Sequence, residues 1–186
     1  MEKRIDKRGR LVESAAELFH EQGVHRTSLA EVAERAEVPL GNVYYYFKTK
    51  DDIGQAVIAR RTSHYGGLCE QWQQLPDPRA RLRAFIQMTI DNRKMLARSG
   101  CPIGSLCQEL HKEGGPLATQ AGAMFTTMLA WLKTQFQLLG KGNESSDLAL
   151  HLLSALEGAS LLTHTFGAPN LMLREAARLQ KWLASL

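Results

Sequence analysis

Residues 28–47 read SLAEVAERAEVPLGNVYYYF, and this stretch decides the fold of the amino-terminal region. Ser28 and Glu31 have the spacing of a capping box, which predicts that a helix begins at this point. Pro39 ends that helix because the residue before a proline disfavours the helical region, and Pro39 suits the first turn of a second helix over residues 40–47. Two short helices joined by a tight turn are typical of a helix-turn-helix, whose second helix enters the major groove of DNA.

The rest of the sequence also shows helical periodicity, and no stretch alternates like a half-buried strand. We therefore predict an all-α fold with an amino-terminal helix-turn-helix head over residues 1–50 and a helical ligand-binding and dimerisation body over residues 51–186. Glycine, proline and asparagine clusters separate about nine predicted helices. Their approximate ranges are 6–22, 28–37, 40–47, 49–74, 77–99, 106–112, 116–139, 145–166 and 171–186.

The composition is that of a globular protein, with 44% hydrophobic and 23% charged residues among 186. The sequence has no apolar run long enough for a membrane span and no apolar stretch behind its first charges, so a cytoplasmic protein is expected. Three cysteines without a CxxC pair argue against a disulfide scaffold. Cys101, Cys107 and His111 are too few for a clear metal site, so no metal or cofactor is expected. No phosphate loop, nucleophile elbow or paired catalytic carboxylates indicate an enzyme.

The net charge is +4, and its basic excess is concentrated in the first ten residues. This segment carries five basic residues against two acidic ones, so it resembles a short arm that binds phosphates. A solvated terminus explains the same charges, and both interpretations stay open. The basic residues are Lys3, Arg4, Lys7, Arg8 and Arg10.

Residues 5–55 resemble the tetracycline-repressor (TetR) family, because many positions match at fixed spacing. The matching residues are Leu18-Phe19, Gly23, Thr27, Val32-Ala33, Gly41, Tyr44, Tyr46-Phe47 and Lys50. The resemblance implies a transcriptional regulator, most often a repressor that a small molecule releases from a palindromic operator. It also implies base contacts from Leu40, Gly41, Asn42 and Tyr45, and phosphate contacts from Thr27, Ser28, Tyr44, Tyr46 and Lys50. Asn42 alone among these has a bidentate polar edge suited to adenine.

Two residues of the turn depart from the family pattern. Glu37 stands where the family usually has glycine, and a left-handed backbone there would cost about 1 kcal/mol relative to glycine. We predict that the fold tolerates this cost. Pro39 stands where the family usually has Ser or Thr, so a hydroxyl able to contact phosphate is absent and the operator contacts of this turn stay open. The three consecutive tyrosines cannot share one buried face, because successive helical residues point about 100° apart, so at least one must be exposed.

The helix over 145–166 is apolar nearly all round, which requires cover on two sides. One predicted stripe holds Leu148, Leu152, Ala155, Ala159 and Leu162, and the other holds Leu150, Leu153, Leu156 and Leu161. We predict that residues 145–186 form a homodimer interface, with both carboxyl-terminal helices contributing to a four-helix arrangement. Burial inside a monomer is the alternative.

Large apolar side chains of the body are candidates to bind a small apolar or amphipathic effector. They are Trp72, Phe85, Met88, Met124, Phe125, Met128, Trp131 and Phe166. The loop Gly-Cys-Pro-Ile-Gly over residues 100–104 resembles a branch of the family that includes lincomycin-resistance repressors. Cys101 in this loop precedes a helix whose amino end would stabilise a thiolate, so a redox or electrophile sensor is an alternative to a structural loop. A helical interaction module without DNA binding is a further alternative.

Overall fold

The computed structural model describes residues 6–186, and these form ten α-helices and one 3₁₀ turn without any β-strand. The predicted all-α class is confirmed. None of the described helices combines the length and apolar character needed to span a bilayer. The helices are α1 (Lys7–Gln22), α2 (Leu29–Arg35), α3 (Leu40–Tyr46), α4 (Lys50–Gln73), α5 (Pro78–Asp91), α6 (Arg93–Ser99), α7 (Pro102–Glu113), α8 (Gly115–Leu138), α9 (Ser145–Thr165) and α10 (Pro169–Ser185), and the 3₁₀ turn is Gly142–Glu144.

The predicted single helix over residues 77–99 is wrong, because the structure divides it into α5 and α6 at Asn92. The side-chain amide of Asn92 donates to the carbonyl of Met88 at 2.8 Å, so it competes with the helical backbone ladder. Asparagine is a weak breaker in sequence, and no glycine or proline marks this position. The next helix, α7, begins at Pro102 rather than near residue 106, as suits a residue that needs no amide donor.

The first compact unit comprises residues up to 64 together with residues 105–122. Its core holds fully or almost fully buried side chains from residues 7–64, and each large aliphatic or aromatic one contributes about 1.5–3 kcal/mol by leaving water. At the surface, Arg35 of α2 pairs with Glu21 at 3.0 Å and Glu17 at 3.6 Å on α1. This division by packing differs from the predicted boundary at residue 50, which stays a prediction about function. The core residues include Leu11, Ala15, Val32, Val43, Phe47, Ile53 and Val57.

The second compact unit comprises residues 65–104 and 123–186. Helix α10 packs against α5, α6 and α9. Four apolar side chains of α10 are buried in this unit, whereas Leu171, Leu173 and Trp182 are half-buried. The contribution of α10 to a dimer interface stays a prediction. The buried residues of α10 are Met172, Ala176, Leu179 and Leu183.

Candidate DNA-binding surface and ligand-binding residues

The turn between α2 and α3 contains a left-handed residue, Glu37, with φ of 53°. It is the one non-glycine residue with positive φ among residues 6–186. The Glu37 amide donates to the Glu34 carbonyl at 3.0 Å, and the Val38 amide donates to the Ala33 carbonyl at 2.9 Å. These two bonds close the end of α2 in the manner of a helix-terminating motif. The prediction that the fold tolerates glutamate here is confirmed.

Helix α2 begins with the predicted capping box. The Glu31 amide donates to the Ser28 hydroxyl oxygen at 3.2 Å, and the Ser28 amide donates to the Glu31 carboxylate at 2.7 Å. The Ser28 hydroxyl also donates to the same carboxylate at 2.8 Å. Ser28 is exposed, so its predicted contact with phosphate is compatible with this geometry.

Helix α3 turns one side inward and presents its other side chains to solvent. Val43 is fully buried and Phe47, just after the helix, is 2% exposed, so these two residues fix α3 on the head. All three tyrosines are exposed, which confirms the expectation that at least one must be. The outward set comprises Leu40 (41% exposed), Tyr44 (49%), Tyr45 (76%) and Tyr46 (36%), with Gly41 exposed and Asn42 half-buried.

Thr27 and Lys50 are directed into the protein rather than outward. Thr27 is 2% exposed, and its hydroxyl donates to the Gly23 carbonyl at 2.7 Å. The Lys50 ammonium donates to the carbonyls of Val24 at 2.9 Å and His25 at 3.2 Å. Thr27 therefore has no exposed hydroxyl for the phosphate contact that the resemblance implied. Lys50 instead joins the start of α4 to the loop before α2, and its phosphate contact stays a prediction.

Part of the basic arm lies outside the described residues, namely Lys3 and Arg4. The remainder belongs to α1 and contacts the helix-turn-helix. The Arg8 guanidinium lies 5.3 Å from the centre of the Phe47 ring, and Arg10 donates to the Glu37 carbonyl at 3.4 Å. These arginines stabilise the head, so charge alone does not assign them to DNA.

Three of the candidate ligand-binding residues form an aromatic cluster with Tyr65 in the second unit. The Trp72 ring centre lies 5.9 Å from that of Phe85 and 5.4 Å from that of Trp131, and Tyr65 lies 6.2 Å from Trp72. Such edge-to-face and tilted contacts are favourable for aromatic pairs. Met88 and Phe125 are half-buried, and Met124 and Met128 are buried.

Phe166 is not part of this interior. It follows α9 and is 68% exposed, so its assignment as a ligand-lining residue is corrected. Phe166 is therefore an exposed apolar residue on the surface of the second unit.

Cys101 is paired with a residue that the sequence did not indicate. Its thiol donates to the Glu157 carboxylate at 3.2 Å, and the Gly104 amide donates to its sulfur at 3.3 Å. A Cβ on Gly104 would lie 2.7 Å from a Glu157 oxygen, so the second glycine of the loop leaves room for this carboxylate. The Gly-Cys-Pro-Ile-Gly loop therefore places its half-buried thiol against a half-buried carboxyl of α9.

Burial and the neighbouring Glu157 raise the pKa of the Cys101 thiol far above its ordinary value. Burial likewise raises the pKa of the Glu157 carboxyl, although the bond from Cys101 opposes this. The amino end of α7 favours the thiolate, but desolvation and the carboxylate outweigh it. These shifts disfavour the thiolate that the loop sequence led us to expect at Cys101. Cys107 is buried and contacts the Ala121 carbonyl at 3.2 Å, so it has a partner of its own.

Helix α9 has a buried side and an exposed apolar side, which we call the α9 face. The predicted stripes are partly wrong, because Leu153 and Leu156 are buried beside Leu152, whereas Leu162 is exposed. The small residues Ser154 and Gly158 lie on the exposed side. The α9 face comprises Leu150 (54% exposed), Leu161 (58%), Leu162 (50%) and Phe166 (68%) together with Ser154 and Gly158.

Two family models match the chain. Residues 11–57 match the amino-terminal domain of bacterial regulatory proteins of the tetR family. Residues 78–178, more than half of the chain, match the C-terminal domain of LmrA/YxaF-like transcriptional regulators.

Curated relatives agree with this assignment. The chain is 26% identical to the HTH-type regulator YxaF of Bacillus subtilis over 171 residues, which cover 89% of this chain and 88% of YxaF. It is 28% identical to the transcriptional regulator AcuR of Cereibacter sphaeroides over 142 residues, 75% of this chain and 64% of AcuR. The match thus spans slightly less than two thirds of AcuR. The regulator BetI of Yersinia pestis is 33% identical over 46% of this chain and 45% of its own length.

Solved structures share the fold. The TetR-family regulator SCO4454 of Streptomyces coelicolor superposes with a TM-score of 0.83 at 19% identity, covering 96% of this chain and 95% of its own. A TetR regulator of Legionella pneumophila gives 0.84 at 21% identity, covering 94% and 95%. The chain belongs to the TetR family of bacterial transcriptional regulators, proteins that bind operator DNA as dimers and are not enzymes.

Proposed function

We propose that this protein is a cytoplasmic repressor that binds a near-palindromic operator as a homodimer and releases it when a small molecule binds the helical body. The observation that carries the proposal is the outward side of α3, where Tyr45 is 76% exposed on a helix fixed from behind by buried Val43. A helix presented in this way fits the major groove of DNA. A two-fold dimer requires half-sites about 34 Å apart, or a multiple of that spacing.

The test of DNA reading is operator selection from a random-sequence library, followed by mobility shift with variants of α3. Asn42→Ala and Tyr45→Ala should each weaken specific binding by about 5- to 150-fold, the worth of one base contact, without loss of thermal stability. The matched control is Gln137→Ala, an exposed residue of α8 in the other unit. Equal binding by all three variants, or an absence of sequence preference, would refute the role of α3 and favour an interaction module.

The α9 face is the proposed dimer surface within residues 145–186. Leu161 is 58% exposed near the small residue Gly158, and a contiguous apolar surface of this kind marks an interaction site. Its proposed occupant is the same face of a second copy, because the family acts as dimers. Leu161→Asp should give a monomer by light scattering, whereas Thr134→Asp on the exposed polar side of α8 should stay dimeric. A dimeric Leu161→Asp variant would contradict this interface.

The aromatic cluster is the proposed effector site, and two N–H donors on α8 indicate what the effector offers. The Trp131 indole N–H and the Gln135 side-chain N–H are buried and have no hydrogen-bond partner among the described residues. They lie one helical turn apart, and the Gln135 oxygen is bound by Arg81 at 3.4 Å. Buried donors of this kind favour a ligand with acceptor oxygens on an apolar or aromatic skeleton.

The effector test is a screen of amphipathic aromatic compounds for release of the bound operator. Gln135→Leu should bind the operator normally and respond less to an active compound, because one donor is gone. The control Gln137→Ala changes an exposed glutamine of the same helix and should respond as the wild type does. An unchanged response in Gln135→Leu would remove this residue from the effector site.

The Gly-Cys-Pro-Ile-Gly loop supports a place near the LmrA/YxaF-like regulators, whose C-terminal domain model covers this loop. The loop does not favour an electrophile-sensing repressor. A sensor cysteine is an accessible thiolate, whereas the Cys101 thiol is half-buried and donates to Glu157 at 3.2 Å. We therefore assign Cys101 a structural role.

A further inference from the structure

The loop between α1 and α2 is held against α7 by a single carboxylate. Glu109 accepts hydrogen bonds from the amides of Val24 at 2.8 Å and His25 at 2.7 Å. Gly23 has φ of 90°, and a Cβ at this position would lie 2.9 Å from a Glu109 oxygen. Glycine therefore allows both the turn and the close approach of the carboxylate.

The same loop is fixed from its carbonyl side by Lys50. Its ammonium donates to the carbonyls of Val24 at 2.9 Å and His25 at 3.2 Å. The main chain of His25 thus has a bound amide on one side and a bound carbonyl on the other. The His25 side chain remains exposed, and its Nε2 contacts the carboxylate of Glu113.

His25, Glu109 and Glu113 place three metal-ligating atoms close together. Glu109 and Glu113 are four residues apart on α7, so they lie on the same side of that helix. The His25 ring nitrogen and one oxygen from each carboxylate all lie within 4.8 Å of one another. Each Glu109 oxygen has two lone pairs and uses one for a loop amide, so one remains for a cation.

We propose that His25, Glu109 and Glu113 bind a divalent transition-metal ion, for which Zn²⁺ is the test ion. One imidazole nitrogen and two carboxylate oxygens are ligands that Zn²⁺ accepts, with water completing the coordination. The imidazole favours a first-row transition ion over Mg²⁺ or Ca²⁺, which prefer oxygen ligands alone. The ion links His25 of the loop to two carboxylates of α7. Binding therefore stabilises the loop conformation that leads into α2, which Glu109 and Lys50 also hold. This inference stands apart from the proposed repressor function.

The experiment is calorimetric titration of the EDTA-stripped full-length protein with ZnCl₂, together with thermal denaturation with and without Zn²⁺. The wild type should bind one Zn²⁺ per chain and melt at a higher temperature with the ion. His25→Ala and Glu113→Gln each remove one ligand and leave the Glu109 bonds to the loop. Each variant should weaken Zn²⁺ binding by more than about 10- to 100-fold, which is the loss expected when a residue that only supports a ligand is changed. MgCl₂ should produce no comparable effect.

The matched control is His64→Ala, which removes an exposed histidine of the same unit outside the cluster. It should bind Zn²⁺ as the wild type does. Circular dichroism of the metal-free variants shows whether each is folded. If His25→Ala is unfolded, Glu113→Gln alone provides the test. Equal Zn²⁺ binding by Glu113→Gln and the wild type, or no binding by the wild type, overturns the proposal and leaves only a contact between His25 and Glu113. Operator binding by metal-free protein tests the repressor function separately.

Discussion

The left-handed Glu37 gives a stability prediction whose magnitude follows from its backbone. A non-glycine residue in this region costs about 1–2 kcal/mol. Glycine removes that cost but adds about 0.4–1 kcal/mol of conformational entropy to the unfolded chain. The Glu37 carbonyl still accepts from Arg10 after the change, since that bond uses the backbone. We expect Glu37→Gly to stabilise the protein by about 0.8 kcal/mol, the difference between the midpoints of the two ranges.

The assay is thermal denaturation followed by circular dichroism, where this gain corresponds to a rise in Tm of about 1–4 °C for a chain of this size. Glu37→Ala is the matched control, because it removes the charge and keeps the left-handed cost. Glu34→Gly is the opposite control, since Glu34 lies in the right-handed α2 and glycine there should cost about 1 kcal/mol. If Glu37→Gly melts no higher than Glu37→Ala, backbone strain at this turn is not what limits stability.

Three further predictions concern buried or inward-facing polar groups. Burial raises the pKa of the Glu157 carboxyl, so the native state holds a proton that the unfolded chain releases, and stability falls as pH rises from the unfolded pKa of about 4.3 through the folded value. Urea denaturation at several pH values should show this fall in the wild type, and Glu157→Gln should flatten it. The raised pKa of the Cys101 thiol predicts slow reaction with a disulfide reagent at neutral pH in native protein, and fast modification with loss of operator binding would restore the sensor hypothesis. Lys50→Met should lower the free energy of unfolding by about 1.5–3 kcal/mol, because it removes hydrogen bonds from a charged group to the carbonyls of Val24 and His25. An unchanged stability with weaker operator binding would instead indicate a phosphate contact alone.

The sequence predicted the head well because its signals are local. The capping box at Ser28, the break before Pro39 and the helical spacing of the tyrosines each depend on residues a few positions apart. The left-handed turn at Glu37 followed from the spacing of the matched family positions. The inward direction of Thr27 and Lys50 was not predictable in this way, because their partners lie in a loop whose path is set by tertiary packing.

Contacts between distant segments account for what the sequence missed. Glu157 follows Cys101 by 56 residues, and nothing in the spacing of an apolar helix marks one glutamate as the partner of a thiol. Glu109 lies 84 residues beyond His25, so the possible metal ligands looked like separate surface residues. Gly104 and Gly23 are the local signal in the sequence, because a glycine leaves space for a neighbouring carboxylate. That signal identifies a close approach but not the group that makes it.

The hydrophobic periodicity of α9 does not determine which of its leucines are buried. A helix that is apolar nearly all round needs packing partners on two sides, and the sequence alone predicts this. Which leucines face which cover depends on where α6 and α10 pack, and they cover the side that holds Leu152, Leu153 and Leu156. Leu161 and Leu162 are left outside, and they are consecutive residues that no single narrow stripe would contain. The proposed dimer therefore needs a partner surface wide enough to cover both leucines, which a second copy of the same helix crossing at Gly158 would provide.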